Sequence, residues 1–207
     1  MSKFISTQAA LGALITLGAL GALAGCATPS APLSSAAVAP YQAAIELNGR
    51  LSVNYSKDGK RETLSGKFNW LQTANRTDVS LASPLGSTIA TITVAPGYAS
   101  LTEAGKAPRV ADDIDSLSAQ TLGWTLPVSG LRDWLQGHAT AADGSRYTAS
   151  PAHSSVTTRD GWRLDYVSWQ DDGAAVPRPR RIDLARAAVG GLEDMQIRIV
   201  IDAPEAK

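Results

Sequence analysis

Residues 51–71 read LSVNYSKDGKRETLSGKFNWL, and this stretch decides the fold class. Leu51, Val53 and Tyr55 alternate with polar residues, the period of a half-buried strand. Lys57-Asp58-Gly59-Lys60 follows, and Asp-Gly suits a two-residue hairpin turn whose central residues take positive φ. The return strand, about Glu62–Leu71, puts Leu64, Gly66, Phe68 and Trp70 on one face.

Working outward, Thr77–Ala82 alternates through Val79 and Leu81. Thr88–Val94 carries Ile92 and Val94 on one face and Ile89 on the other, and Pro96-Gly97 turns into a short strand through Tyr98 and Leu101. Further strands are predicted at Arg146–Ala149, Ser155–Thr158, Trp162–Trp169, Arg180–Leu184 and Met195–Ile201. Short strands at regular spacing with turn signals between them favour an antiparallel sheet that curls on itself. Three segments read as helices. Tyr41–Leu47 suits a short leading helix. Asp112–Leu122 places Ile114, Leu117 and Thr121/Leu122 on one stripe, with Asp112, Asp113 and Asp115 where carboxylates suit the helix dipole. Val128–Gln136 places Val128, Leu131, Trp134 and Leu135 on another, with Gly137 as the stop. Gly123-Trp124-Thr125-Leu126-Pro127 between them is too punctuated to continue either helix, so the pair reads as a plug or lid over one end of the sheet.

The chain has 207 residues, 44% of them hydrophobic, which suits a single domain with a short appendage. Its 19 Lys+Arg balance 19 Asp+Glu, and that neutrality argues against a nucleic-acid partner. One Cys excludes an internal disulfide framework and a multi-cysteine metal site. The N-terminus decides the compartment. Lys3 is followed by an apolar stretch from about Ala9 to Leu23, the layout of a secretory signal and too rich in Gly and Ala for a membrane-spanning helix. Leu23-Ala24-Gly25-Cys26 resembles the bacterial lipobox, which makes Cys26 the expected first mature residue and lipidation site. Residues 1–25 are then a signal peptide, residues 26–40 a lipidated Cys with an uncharged Ala/Ser/Pro tether, and residues 41–207 the folded domain. Ala27 stands where inner-membrane lipoproteins carry Asp, so the outer membrane is the expected destination.

Enzymatic constellations fail in turn. His138 and His153 read as exposed loop residues without a metal-spaced partner. No nucleophile elbow, P-loop or dinucleotide fingerprint occurs, and the Asp112/Asp113/Asp115 and Asp171/Asp172 groups read as a helix start and a hairpin turn. No enzyme, metal site or cofactor is expected. Three features stand out instead. Ser83-Pro84-Leu85-Gly86-Ser87 makes a tight turn with an apolar tip; Leu85 is either an ordinary exposed Leu or a residue that dips into a bilayer. The tryptophans Trp70, Trp124, Trp134, Trp162 and Trp169 either fill a core or line a cavity. Phe68, Trp70, Leu81, Ile92 and Tyr166 on strands, facing Leu117, Leu131 and Trp134 on helices, are the candidate acyl-chain cavity. Arg178-Pro179-Arg180-Arg181, with Arg186 beyond, is either a solvated edge strand or a contact for anionic lipid or an acidic partner.

These residues in this order resemble the LolB family of outer-membrane lipoprotein receptors. The landmarks are Gly49-Arg50-Leu51-Ser52-Val53, Gly66-x-Phe68-x-Trp70 and Ser83-Pro84-Leu85-Gly86-Ser87-Thr88. They continue with Leu122-Gly123-Trp124-x-Leu126-Pro127-Val128-x-Gly130-Leu131-x-x-Trp134-Leu135-x-Gly137 and Gly161-Trp162-x-Leu164-x-Tyr166, and close with Ile182-x-Leu184 and Ile197-Arg198-Ile199-Val200-Ile201. The resemblance implies a mainly β, unclosed antiparallel barrel of about 11 strands, with a lid of about three helices around an apolar cavity. It implies a periplasm-facing, lipid-anchored receptor that takes lipoproteins from the carrier LolA, as a monomer, and places their acyl chains in the inner leaflet of the outer membrane. Pro84, Leu85 and Gly86 match the family's protruding apolar element. The longer tether and the Arg-rich strand (Arg178, Arg180, Arg181) depart from the family pattern and leave partner geometry open. The competing reading is an envelope scaffold lipoprotein acting through that basic strand.

Overall fold

The computed structural model describes residues 33–57, 59–122, 127–170, 175–187 and 192–204. Leu33–Lys207 forms a compact unit with its own apolar core, the property of a domain able to fold alone. The elements in chain order are β1 Ile45–Lys57, β2 Lys60–Gln72, β3 Thr77–Ala82, β4 Thr88–Ala95, β5 Tyr98–Glu103 and β6 Arg109–Ala111. Next come α1 Ile114–Leu122, α2 Val128–Trp134, β7 His138–Thr140, β8 Arg146–Thr148, β9 Ser155–Thr157, β10 Trp162–Trp169, β11 Pro179–Arg186 and β12 Leu192–Ile201. Ten strands form one sheet in the order β6-β5-β4-β3-β2-β1-β12-β11-β10-β9, and β7-β8 make a separate ribbon. Each neighbouring pair is antiparallel. The sheet does not close, because β6 and β9 each have one unpaired edge.

The β1–β2 hairpin pairs without interruption from Ile45↔Gln72 to Lys57↔Lys60, and Gly59 has φ 73°, as the Asp-Gly turn requires. Period-2 alternation then lines up apolar residues across strands. Trp70 lies opposite Val79, Val79 opposite Ile92, and Ile92 opposite Leu101. On the other side of β1, Leu51, Ile199, Ile182 and Tyr166 form a second row. Gly49 is needed where these rows meet, because a Cβ there would collide with Val200 O and lie 2.7 Å from the Phe68 ring.

Both helices cover this apolar face: Ile114, Leu117, Val128, Trp134 and Leu135 are buried in the same cluster as Trp70 and Ile92. At the start of α1 the Asp113 carboxylate accepts hydrogen bonds from the Ser116 N–H and hydroxyl, each 2.7 Å, and these hold it below the usual carboxylate range. α2 is pinned through its last turn. Arg132 donates to Thr73 O (2.7 Å) and to the Thr77 hydroxyl, and Trp134 O accepts from the Tyr166 hydroxyl (3.1 Å). Gly130 lets the Trp134 ring lie against its own helix, since a Cβ would sit 2.6 Å from the ring's Cε2.

Several expectations need correction. Among the described residues there are two helices, not three, and the unclosed sheet holds ten strands rather than about 11, with β7 and β8 apart from it. Tyr41–Leu47 is not helical; Ile45 and Leu47 open β1, where pairing with Gln72 and Trp70 overrides an ambiguous short pattern. β6 and β7 lie where no strand is expected, and His138 is half-buried in β7, whereas His153 is exposed. Within the stretch whose composition reads as tether, residues 34–39 are bonded to the body. Ala152 N–H donates to Ser34 O (2.9 Å) and Val38 N–H to Ala149 O (3.0 Å), and His138 Nε2 lies 2.9 Å from Ala39 O. Cys26, Asp58, residues 123–126 with Trp124, and the Asp171-Asp172-Gly173 turn lie outside the described residues.

Candidate functional site

The strand and helix residues expected to line a cavity come together. Phe68, Trp70, Ile92, Leu117, Trp134 and Tyr166 are buried in one cluster, and Leu81 and Leu131 pack against it, half-buried. Aromatic contacts tie two of them to further core rings. Trp134 lies 6.1 Å from Trp162, while Tyr166 stacks on Trp169 at 6.0 Å and on Tyr147 at 6.3 Å. Burial pushes the Tyr166 phenol far above its ordinary value and the Tyr147 phenol up to about 12, so both act as neutral hydrogen-bond donors. Tyr147 uses its hydroxyl on His153 O at 2.6 Å. In this conformation the eight side chains are packed as core; chemically the cluster can offer contact to hydrocarbon and little else.

A groove of about 900 Å³ opens beside this cluster, at the end from which β1 starts. Its apolar wall includes Val38, Ile45, Leu47, Leu135 and Ile201, and its rim includes Glu46, Gln136, Gln170, Arg178 and Asp202. Those five apolar residues also belong to the core cluster or pack against it. One side of the groove is the arm formed by residues 38–42. Gln42 N–H donates to Gln136 Oε1 (2.8 Å), and Gln136 Nε2 donates back to Gln42 O (3.0 Å). Gln72 Nε2 donates to the Tyr41 hydroxyl (2.8 Å), while Gln72 Oε1 accepts the Trp70 indole N–H (3.1 Å).

The Ser83–Ser87 turn lies at the other end of the strands, the end toward which β1 and β3 run. Gly86 N–H donates to Ser83 O (2.9 Å), Ser83 N–H to Ser87 O (2.8 Å), and Gly86 has φ 94°. This is the three-residue hairpin loop whose last residue is left-handed, hence the glycine. It leaves Pro84 exposed and Leu85 96% exposed, the most exposed large hydrophobic side chain among the described residues.

The basic cluster divides. Arg178 and Arg180 are exposed, and Arg178 lies on the groove rim. Arg181 is half-buried and paired with Asp183 through two hydrogen bonds of 2.9 and 2.5 Å. Burial opposes ionisation of Asp183, yet Arg181 and Arg198 together hold its carboxyl below the usual range. Arg181 is therefore a structural cation. The sequence carries a signal for this pairing: Arg163-x-Asp165 and Arg181-x-Asp183 place both charges on one strand face, Arg76-x-Asp78 has the same spacing at the start of β3, and all three pair. Gln42, Gln72, Gln136 and Arg132 gave no sequence signal, since isolated polar residues without spacing do not announce their partners.

A family model described as "Outer membrane lipoprotein LolB" matches residues 43–203. The outer-membrane lipoprotein LolB of Cupriavidus pinatubonensis is 39% identical over 199 residues, covering 94% of this chain and 95% of that protein. The protein of the same name from Cupriavidus taiwanensis is 40% identical over 195 residues, covering 92% and 95%. Among solved structures, a LolA superfamily protein from Nitrosomonas europaea aligns over 80% of this chain and 86% of its own, with 9% identity and a TM-score of 0.41, too slight a likeness to argue from. The breadth of the sequence match settles the assignment: the chain belongs to the LolB family of outer-membrane lipoproteins.

Proposed function

We propose that this chain is an outer-membrane lipoprotein receptor. It accepts lipoproteins from the periplasmic carrier LolA, holds their acyl chains against the apolar face between sheet and helices, and inserts them into the inner leaflet of the outer membrane. Family membership over residues 43–203 is the observation that carries this reading. The anchor is a lipid on Cys26; two or more acyl chains there attach the protein stably, whereas one gives only marginal binding. The chemistry needed is physical, not covalent. Each acyl CH₂ taken into water costs about 0.8 kcal/mol, so cargo in free solution is prohibitively unfavourable. Transfer therefore runs downhill from the carrier's apolar site to this one and on to the bilayer, without a free intermediate. Phe68, Trp70, Leu81, Ile92, Leu117, Leu131, Trp134 and Tyr166 serve as the contact surface, and the turn with Leu85 at its tip serves as the element that meets the leaflet. Arg178 and Arg180 remain as exposed cations for an acidic partner or anionic lipid, with Arg181 set aside by its pairing. No observation favours the scaffold reading.

The direct test mixes the protein, starting at Ala27, with a purified LolA–lipoprotein complex and follows the lipoprotein by size exclusion. The cargo is expected to move to this chain without added nucleotide. Cargo that stays on LolA through long incubation, with both proteins folded, overturns the proposal.

A further inference from the structure

The arm along the groove is held at two places: at its base Val38 N–H donates to Ala149 O (3.0 Å) and His138 Nε2 lies 2.9 Å from Ala39 O, while its Tyr41–Gln42 end is fastened by neutral side chains. The two bonds between Gln42 and Gln136 are amide to backbone, and the bond between Tyr41 and Gln72 is amide to hydroxyl. Bonds of this kind are individually modest, so that end of the arm is held reversibly. Gln72 is 1% exposed and Trp70 2%, so the Tyr41–Gln72–Trp70 relay runs from the arm into the middle of the apolar cluster. The groove wall is continuous with the core, because Leu135 and Ile201, with Val38 at the base of the arm, are buried members of that cluster. A volume of about 900 Å³ lies within the range of small-molecule sites, roughly 300–1,000 Å³. The polar rim against apolar depths suits a molecule with one hydrocarbon end.

We propose that this groove is the doorway through which an acyl chain reaches the apolar core, and that residues 40–42 are a strap at its side, hinged at Val38 and Ala39 and fastened by Gln136 and by the Tyr41–Gln72 bond. The inference rests on the acyl-holding function proposed above and adds its route and its gate. Freeing Gln42 and Tyr41 lets residues 40–42 swing about the base that Val38 and Ala39 hold, and widens the way to Leu135 and Ile201. The strap also continues the segment that carries Cys26, so membrane anchor and doorway share one stretch of chain.

The test uses the protein starting at Ala27 and an anthroyloxy-labelled palmitate, with association followed by stopped-flow fluorescence and affinity by titration. Gln136→Ala combined with Tyr41→Phe should raise the association rate by about tenfold, the effect expected when ordinary hydrogen bonds no longer favour the closed form. Affinity should change much less than the rate. Conversely, Gln42→Cys with Gln136→Cys, joined by a reducible bismaleimide, should slow uptake at least about tenfold, with full recovery on reduction; thermal melts confirm that each variant folds. Unchanged rates in both loosened and locked forms, with normal equilibrium binding, overturn the doorway while leaving the acyl-holding reading intact. The same result is expected if the groove receives a peptide instead. No palmitate binding by any form, the unmodified protein included, removes the acyl site and its doorway together.

Discussion

Replacing Leu85 with Glu should separate delivery from acceptance. Leu85 is 96% exposed at the tip of a turn whose closing bonds are made by Ser83, Gly86 and Ser87. The substitution therefore removes no packing and should change folding stability by less than about 0.5 kcal/mol. At a membrane the arithmetic is different. Full burial of a Leu side chain contributes about 1.5–3 kcal/mol, so its loss alone weakens docking by roughly 10- to 150-fold. A carboxylate at the same tip adds a desolvation cost on top. The assay has two arms: transfer of a labelled lipoprotein from LolA to the soluble protein, and transfer from the loaded protein to vesicles of outer-membrane phospholipid composition. Acceptance should match the unsubstituted protein within about twofold, while vesicle delivery falls at least about tenfold. Leu85→Ala should lie between. Equal loss in both arms, or delivery untouched by Glu, would refute the division of labour.

Gly130→Ala should lower stability by about 1–3 kcal/mol, seen as a Tm lower by roughly 2–10 °C, because the new methyl meets the buried Trp134 ring. Asp115→Asn should stabilise the fold slightly at neutral pH. Burial, with Asp113 and Asp160 nearby, raises the folded pKa of Asp115, so its ionised form is disfavoured as pH rises through that value. Solvent screening keeps the gain under about 1 kcal/mol, and it should vanish at acid pH, where both states carry the proton; a Tm gain that persists at pH 3 contradicts the assignment. Arg178→Ala with Arg180→Ala should weaken binding to anionic vesicles or to LolA by up to about 1 kcal/mol per residue in a salt-sensitive way. Arg181→Ala should instead act on stability, through the Asp183 carboxylate left without its closest partner.

The hairpin, most of the strands and both observed helices were legible because long alternating or 3.6-period patterns leave little choice of buried face. The Leu85 tip was equally legible, since Pro84, Leu85 and Gly86 specify a turn from local chemistry alone. Tyr41–Leu47 misled because Ala43, Ala44, Glu46 and Leu47 suit a helix locally. Only the continuation through Leu51 and Val53, and pairing with β2, makes Ile45 and Leu47 strand residues. β6 and β7 are three residues each, too short to carry a period. Residues 34–39 have the Ala/Ser/Pro content of a tether, and their bonds through the backbone of Ser34, Val38 and Ala39 leave no trace in side-chain composition. The grouping of the eight apolar residues could be read from pattern; their packed state and the groove beside them depend on three-dimensional distances that pattern does not contain.

Tryptophan quenching by bromine-labelled palmitate probes the interior most directly, because bromine quenches an indole only on near contact and Trp70 and Trp134 sit at the centre of the apolar cluster. Saturating loss of emission at one palmitate per protein is the predicted result. Undiminished emission from a protein that still takes lipoprotein from LolA would place the cargo somewhere other than between sheet and helices.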